Sequence, residues 1–237
     1  MYKEFEREAM LIGEEALEKL SRSSVALFGV GGVGSYTAEA LARSGVGSIL
    51  LVDNDTVSLS NINRQLCALH STVGRYKVDV VAERLLDINP RLNVSVRKDF
   101  ILPENASTFN FSSFDYVIDA IDTVSGKLAI IEGCIAAGTP VISCMGTGNK
   151  LDPSALRVTD ISKTSTCPLA RVMRRELRAR GISHLPVIYS LEEAKAPLIT
   201  ITDGKRAVPA SIAFVPSVAG LMAAAEAIKT IIGKEEI

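Results

Sequence analysis

The sequence lacks the features that mark disulfide-rich, zinc-binding and membrane proteins. Its four cysteines are far apart and form no C-x-x-C pair, which argues against a disulfide framework or a structural zinc site and favours a reducing compartment. The first eight residues are charged and have no apolar core, so we do not expect a signal peptide. No apolar run approaches the length of a membrane span. We therefore expect a cytoplasmic protein without a membrane association.

The chain also lacks an excess of charge of either sign. It carries 26 basic and 27 acidic residues among 237, so its composition gives no bulk argument for nucleic-acid binding. Any contact with RNA must then come from a local patch. Internal repeats and low-complexity linkers are absent too, and the length suits one domain that buries its own core.

A strand, a glycine-rich turn and a helix start organise the first third of the chain. Residues 24–28 have buried-strand character and run into Gly29-Val30-Gly31-Gly32-Val33-Gly34, which fits G-x-G-x-x-G before an Ala-rich helix-forming segment. Glycines let the backbone approach a phosphate, whose charge is stabilised at a helix N-terminus. Asp53 ends the next strand, where a carboxylate can accept hydrogen bonds from ribose hydroxyls. The stretch therefore predicts a nucleotide site, with a simple tight turn as the alternative.

Alternating strand and helix patterns predict an α/β fold, a doubly wound, mostly parallel Rossmann-like sheet with an antiparallel C-terminal extension. The predicted strands cover 24–29, 48–53, 93–98, 115–119, 140–144 and 156–161, with short strands at 187–189 and 198–202. The predicted helices cover 5–20 (two short helices), 32–44, 76–88, 125–137, 167–180 and 216–232, with a helical stretch near 103–109. We expect a single domain over 1–237, with N-terminal helices at 5–20, a nucleotide-binding core at 24–150 and a substrate-side extension with a closing helix at 151–237.

Polar residues outside the glycine turn discriminate between kinds of nucleotide. The nicotinamide site of a dehydrogenase needs neither Arg64, after Asn61-Ile62-Asn63, nor Lys77 at the start of the following helix. Arg64 offers a planar fork and Lys77 a point charge for phosphates, although either could be a solvated surface charge. Asp122 follows a strand at the carboxyl edge of the sheet, where it could hold Mg²⁺ or cap the next helix. These residues favour ATP, bound without a Walker-type loop; a degenerate domain that only docks partners is the non-enzymatic alternative.

These segments resemble the superfamily of ATP-dependent adenylating enzymes related to ubiquitin-activating enzymes. The resemblance rests on residues 29–34, 51–55, 61–65, Lys77 and 119–122. It implies ATP and Mg²⁺ as cofactors, with Arg64 and Lys77 on the phosphates and Asp122 needed for the metal and the chemistry. It also implies a homodimer in which Arg7 reaches the ATP of the neighbouring subunit. The cofactor-binding residues that it implies are Gly29, Gly31, Gly32, Gly34, Asp53, Asp55, Asn61, Asn63, Arg64, Gln65, Lys77 and Asp122.

Two branches of that superfamily have to be distinguished. Members that adenylate the C-terminal glycine of a ubiquitin-like sulfur-carrier protein commonly have two C-x-x-C zinc pairs and a reactive cysteine. This chain has no such pairs, and Cys167 is its candidate thiol. Residues 158–164, 168–171 and 7–20 look like the bacterial tRNA threonylcarbamoyladenosine dehydratases instead. Some members of that branch carry a cysteine before the last helix, whereas residues 208–214 contain none.

The resemblance to the dehydratases implies a reaction on RNA. ATP would activate the threonyl carboxylate of the modified adenosine in tRNA, and ring closure would then release AMP. Because the nucleophile belongs to the RNA, the protein needs no cysteine for this chemistry. The alternative is an adenylyltransferase that activates the C-terminal glycine of a sulfur carrier. The resemblance leaves open a sulfur-transfer protein partner and a monovalent cation.

A basic helix is the predicted RNA contact. Arg171, Arg174, Arg175 and Arg178 recur at i, i+3, i+4 and i+7 and share one helix face, with Lys163 just upstream. Such a face can neutralise several phosphates with salt-sensitive affinity. A helix face that is merely solvated would show the same pattern.

Overall fold

The structure is a computed structural model and describes residues 3–203 and 206–233. The outermost residues of the domain expected over 1–237 therefore lie outside the described part of the chain. The described residues form a seven-stranded sheet and a two-stranded hairpin, flanked by helices. This arrangement confirms the predicted α/β class.

The main sheet has the strand order β3-β2-β1-β4-β5-β7-β6. All neighbouring strands are parallel except β6, which runs antiparallel to β7 at one edge. The antiparallel extension is therefore this one strand, since β7 pairs in parallel with β5. The bounds are β1 Ser24–Phe28, β2 Ser48–Val52, β3 Asn93–Arg97, β4 Tyr116–Asp119, β5 Val141–Cys144, β6 Leu156–Asp160 and β7 Pro186–Ser190.

Seven α-helices lie among the described residues, close to the predicted positions. They are α1 Glu6–Ile12, α2 Glu14–Arg22, α3 Gly34–Arg43, α4 Lys77–Ile88, α5 Val124–Ala137, α6 Pro168–Ala179 and α7 Phe214–Ile232. Helix α3 begins at Gly34 rather than at residue 32, because the preceding residues form the glycine turn. The helical stretch near 103–109 is reduced to the 3₁₀ turn Ala106–Thr108, followed by a second turn at Phe111–Ser113.

The two faces of the sheet bury two separate apolar cores, because side chains alternate along each strand. In β1, Val25 and Leu27 pack into the core beneath α3, α4 and α7, while Ala26 and Phe28 pack into the core beneath α5 and α6. Phe28 contacts Phe109 edge to face, with 5.1 Å between the ring centroids. Helices on both faces explain why the central strands read as continuous apolar runs.

The closing helix α7 packs directly against α3. A Cβ atom on Gly220 would lie 2.2 Å from the Val33 carbonyl oxygen, and Thr37 Oγ1 donates a hydrogen bond to the Gly220 carbonyl at 3.0 Å. By length and composition alone α7 is apolar enough to cross a membrane, so the expectation that no run approaches such a length is wrong. Its buried alanines, among them Ala223 and Ala227, lie in the core beneath α3, as in a core helix.

The predicted strand at 198–202 is confirmed only at its last residue. Residues 198–201 are not in a strand; the hairpin is formed by β8 Thr202–Asp203 and β9 Arg206–Ala207. Leu198, Ile199 and Ile201 are exposed. The apolar residues at 198–201 therefore predicted a strand that begins only at Thr202 in the structure.

Candidate functional site

A cleft of about 520 Å³ opens at the carboxyl ends of β1, β2 and β4. The chain runs from β1 outward to β2 and β3, and then crosses back to β4 on the other side of β1. Open α/β sheets bind ligands at such a reversal of strand order. Of the residues expected to bind the cofactor, the cleft is lined by Gly29, Gly31, Gly32, Asp53, Asp55, Asn61, Arg64, Gln65, Lys77 and Asp122.

The glycines of the turn have different reasons to be glycine. Gly29 has φ +88°, and a Cβ atom there would lie 2.8 Å from the Ala120 carbonyl oxygen. A Cβ atom on Gly34 would lie 1.8 Å from the Gly29 carbonyl oxygen, so Gly34 serves the close packing of helix on strand and does not line the cleft. Gly31 lines the cleft, and its nearest neighbour would be the Gln65 amide nitrogen at 3.7 Å. A Cβ atom on Gly32 would lie 3.3 Å from Pro216 Cβ, so among these glycines Gly31 has the most open space toward the cleft.

Asp53 holds the glycine turn in place. Its carboxylate accepts hydrogen bonds from the backbone N–H of Val30 at 2.8 Å and of Asp55 at 2.9 Å. Burial raises the pKa of the Asp53 carboxyl, and the hydrogen bond from Val30 and the charge of Lys77 oppose that shift. Both oxygens of Asp53 therefore already accept a backbone hydrogen bond. The predicted contact between Asp53 and a ribose stays a prediction.

The cationic side of the cleft is formed by Arg64 and Lys77. Lys77 is the first residue of α4, is 5% exposed, and donates to the Asp55 carboxylate at 2.7 Å. Arg64 donates to the Ser60 carbonyl at 2.8 Å and to Asn63 Oδ1 at 2.9 Å, and burial lowers its pKa. Neither side chain is a free surface charge, so the alternative of solvated charges is wrong for both.

Asp122 lies opposite, on the loop between β4 and α5. Its side chain is exposed in the cleft, and no described residue hydrogen-bonds to its carboxylate. The residue that caps α5 is Thr123, so Asp122 is not a helix cap. A carboxylate that lacks a protein partner remains available to a ligand or an ion. The described residues contain no group of three or more histidine, cysteine or acidic side chains that could hold a metal by themselves.

Several residues of the site could not be predicted. Ser211 and Pro216 reach the cleft from the C-terminal part of the chain, and Thr147 reaches it from the loop after β5. Asn63 does not line the cleft; its amide donates to the Ser211 carbonyl at 2.9 Å and so connects the two regions. Phe100 and Ile101 supply apolar surface after β3. Their only signal in the sequence is an apolar pair directly after a strand.

Arg7 and the basic helix lie outside the cleft. Arg7 is exposed on α1, two residues after Phe5. The Phe5 ring lies near Gly45, about 3.6 Å from where a Cβ atom on that glycine would be. Arg7 is therefore at the amino edge of the sheet, opposite the cleft. Helix α6 begins beside the cleft. Cys167, directly before this helix, would have its Sγ 3.7 Å from a Cβ on Gly146, and the next residue, Thr147, lines the cleft. Arg7 therefore does not line the cleft of its own chain, and its predicted contact with the ATP of a neighbouring subunit stays a prediction.

The five predicted RNA-binding residues differ in their partners. Arg171, Arg178 and Lys163 are exposed. Arg174 is half-buried and donates to the Thr164 carbonyl at 2.6 Å, and Arg175 forms an ion pair with Glu176 at 2.8 Å. Glu176 offsets the charge of Arg175. The positive charge of this set is therefore carried by the other four residues, Lys163, Arg171, Arg174 and Arg178.

All four cysteines are free and buried. Burial raises the pKa of Cys67 to about 11 and the pKa values of Cys134 and Cys144 to about 12, so these thiols stay protonated at neutral pH. Cys167, directly before α6, is 1% exposed. None of the four is exposed, as the thiol of a reactive nucleophile is.

Known proteins of two kinds are similar to this chain. It is 47% identical over 236 residues to the tRNA threonylcarbamoyladenosine dehydratase of Bacillus subtilis (strain 168), which covers 94% of this chain and 92% of that protein. The crystal structure of the Escherichia coli tRNA N6-threonylcarbamoyladenosine dehydratase TcdA in complex with ATP has a TM-score of 0.89 and 36% identity, with 98% of this chain and 95% of the other covered. A relative of the sulfur-carrier type, the adenylyltransferase and sulfurtransferase MOCS3 of Culex quinquefasciatus, is 36% identical over 56% of this chain and 30% of that protein.

The similarity to the dehydratases extends over almost the whole chain, whereas that to the sulfur-carrier relative stops at about half of it. The ThiF family matches residues 5–237. The resemblance to adenylating enzymes is therefore confirmed, and the chain belongs to the ThiF family.

Proposed function

We infer that the protein is an ATP-dependent tRNA threonylcarbamoyladenosine dehydratase. The observation that carries this inference is the cleft, in which two held cations face a carboxylate without a protein partner. Two further facts support it over the sulfur-carrier alternative. The similarity to dehydratases covers nearly the full chain, and all four thiols are buried.

The cleft offers different surfaces to the parts of ATP. Gly31 and the start of α3 provide backbone N–H groups and a helix N-terminus for phosphate. Arg64 and Lys77 stand ready for the remaining phosphate oxygens, and Lys77 would exchange its bond with Asp55 for one with a phosphate. Phe100 and Ile101 provide the apolar surface on which a purine can pack.

We assign Asp122 to Mg²⁺. Mg²⁺ prefers carboxylate and phosphate oxygens and usually keeps several waters, so one protein carboxylate in a phosphate site fits its needs. Asp122 lines the cleft and has no hydrogen-bond partner among the described residues. The ion, when bound, neutralises charge on the phosphates. Asp55 is another of the carboxylates that line the same cleft.

The reaction proceeds in two displacements. A carboxylate oxygen of the threonyl group attacks the α-phosphorus of ATP, the bond from that phosphorus to the bridging oxygen breaks, and pyrophosphate leaves. The carbamoyl oxygen or nitrogen of the same modified base then attacks the activated carbonyl carbon, AMP leaves as the ring closes, and the carbamoyl N–H gives up its proton to solvent. The net change in the RNA is the loss of one water. The protein contributes position and electrostatic stabilisation at phosphorus and needs no nucleophile of its own.

The tRNA would lie along α6. This helix starts beside the cleft, and Arg171, Arg174, Arg178 and Lys163 carry charges that no carboxylate neutralises among their described contacts. A strand of RNA whose modified base enters the cleft can therefore place neighbouring phosphates along this face.

We propose that a homodimer completes the site. Met10 and Leu11 are each 84% exposed on α1, next to Arg7, so this short helix presents apolar surface together with a cation. A second copy that buries this surface can bring Arg7 to the partner's cleft. Mixing an Arg7→Ala chain with an Asp122→Ala chain tests this, because a dimer that shares sites should regain one active site, and a chain acting alone should regain none.

The function is tested by offering ATP with three substrates: tRNA that carries threonylcarbamoyladenosine, the same tRNA without the modification, and a sulfur-carrier protein. We expect release of AMP and pyrophosphate only with the modified tRNA, together with a nucleoside lighter by one water. Release of pyrophosphate with the carrier alone would favour the alternative adenylyltransferase. No stimulation by either RNA would contradict the proposal.

A further inference from the structure

A buried ion pair lies directly beneath the loop that carries Asp122. Lys127 and Asp119 are both 0% exposed, and Lys127 Nζ is 3.0 Å from Asp119 Oδ2. Ser143 donates its hydroxyl to the same carboxylate oxygen at 2.5 Å and lies 3.2 Å from Lys127 Nζ. Lys127 also donates to the Cys144 carbonyl at 2.7 Å. The cluster of Asp119, Lys127 and Ser143 therefore joins the ends of β4 and β5 and the first turns of α5.

Packing alone does not explain this cluster. Withdrawing two charges from water is costly, and apolar residues of similar volume can replace a buried ion pair without loss of stability. The surroundings are apolar, since Leu128, Ile130 and Ile131 of α5 are in the core. A charged cluster at this place indicates a role that an apolar core could not fill, namely a fixed direction of hydrogen bonds.

The cluster acts on the loop through the second oxygen of Asp119. Asp119 Oδ1 accepts a hydrogen bond from the backbone N–H of Ile121 at 3.2 Å, one residue before Asp122. The other end of the loop is tied by the N–H of Lys127, which donates to the Thr123 carbonyl at 2.9 Å. The loop between these two bonds consists of residues 120–123, and it also touches the glycine turn at Gly29.

We propose that Asp119, Lys127 and Ser143 are positioning residues that fix the loop 120–123 and thereby hold Asp122 in the cleft in the orientation that its proposed Mg²⁺ contact requires. This inference rests on the proposed function of Asp122. The cluster does not touch the substrate. Its lysine also binds the last carbonyl of β5, from which the chain continues to Thr147 at the cleft, so it holds two walls of the site in one geometry.

Two altered proteins test the proposal. Ser143→Ala removes one hydroxyl and leaves the ion pair. Asp119→Asn combined with Lys127→Met removes both charges together, so that neither is left buried without its partner. Thr139→Val is the matched control, because Thr139 is buried before β5 and donates to the Phe111 carbonyl at 2.9 Å, at the end of the strand away from the cleft.

Three measurements are made on each variant and on the wild type: amide hydrogen exchange of residues 120–123 without ligand, ATP affinity by calorimetry, and kcat with ATP and modified tRNA. We expect faster exchange in the loop and a kcat lowered by about 10- to 100-fold, as is typical when a supporting contact behind a ligand is lost. ATP affinity should stay within about threefold, and the control should match the wild type.

Loop exchange and kcat equal to those of the wild type, or an equal loss in the control, would overturn the proposal. If the double variant does not fold, Ser143→Ala gives the same decision alone. A wild type that binds ATP but never dehydrates the RNA would instead refute the proposed function. The exchange rates would then still decide whether the cluster fixes the loop.

Discussion

Two alanine substitutions in the glycine turn, only three residues apart, should affect different properties: one should lower the stability of the fold and the other the affinity for ATP. In Gly34→Ala the new Cβ would lie 1.8 Å from the Gly29 carbonyl oxygen, about half of an ordinary contact distance. The obstacle is backbone, which cannot rotate away as a side chain would. We therefore expect the free energy of unfolding to fall by about 3 kcal/mol or more, at or above the upper end for overpacked sites.

Gly31→Ala meets no such obstacle. The nearest atom to its Cβ would be the Gln65 amide nitrogen at 3.7 Å, an ordinary contact. Stability should be unchanged or higher by up to about 1 kcal/mol, because alanine restricts the unfolded chain. The methyl group would nevertheless occupy the cleft where a phosphate is expected, so ATP affinity should fall at least about tenfold, which corresponds to about 1.4 kcal/mol.

Urea unfolding measures the first quantity and calorimetric titration with ATP the second, each on both variants. A Gly34→Ala protein as stable as the wild type would refute the close packing of α3 on β1. A Gly31→Ala protein that binds ATP as tightly as the wild type would refute the placement of the phosphates at the turn.

Three further predictions concern other parts of the molecule. Asp122→Ala should lower turnover by about 100- to 1,000-fold without a change in the unfolding midpoint, since its carboxylate has no hydrogen-bond partner among the described residues; near-normal turnover would exclude its metal role. Arg171→Glu with Arg178→Glu should weaken tRNA binding by about tenfold or more at low salt and leave ATP binding intact. Arg175→Glu should weaken tRNA binding less, because Arg175 is already paired with Glu176. Equal effects on tRNA binding would contradict the assigned face. The native protein should not react with thiol reagents at neutral pH until it unfolds, because all four cysteines are buried and three have pKa values of about 11 or 12; one fast thiol would revive the carrier chemistry.

The parts of the fold that repeat a local pattern could be predicted from the sequence. The strand before Gly29, the helix that starts at Lys77 and the helix after Thr123 have the expected bounds to within about two residues. Period and turn chemistry act over short stretches, so a single sequence contains them. For the same reason the mostly parallel, doubly wound class of the sheet followed from the alternation of strand and helix.

Contacts between distant parts of the chain could not be predicted. Ser211 lines the cleft, and its carbonyl accepts a hydrogen bond from the Asn63 amide across 148 residues of sequence. The ion pair of Asp119 and Lys127 lies in segments that read as plain buried strand and apolar helix, where the single lysine was the one signal. Residues 198–201 are apolar enough for a strand, yet the backbone pairing of the hairpin extends only to Ile201, whose carbonyl accepts a hydrogen bond from the Val208 N–H at 2.8 Å.

The proposed reaction begins when the substrate's carboxylate attacks the α-phosphorus of ATP. The measurement that tests it most directly uses tRNA whose threonyl carboxylate is labelled with oxygen-18, and follows the label into AMP by mass spectrometry. The proposed mechanism predicts one labelled oxygen in each AMP, because the carboxylate oxygen that bonds to phosphorus leaves with it when the ring closes. AMP without label would show that water or another nucleophile attacks the phosphate and would contradict the mechanism.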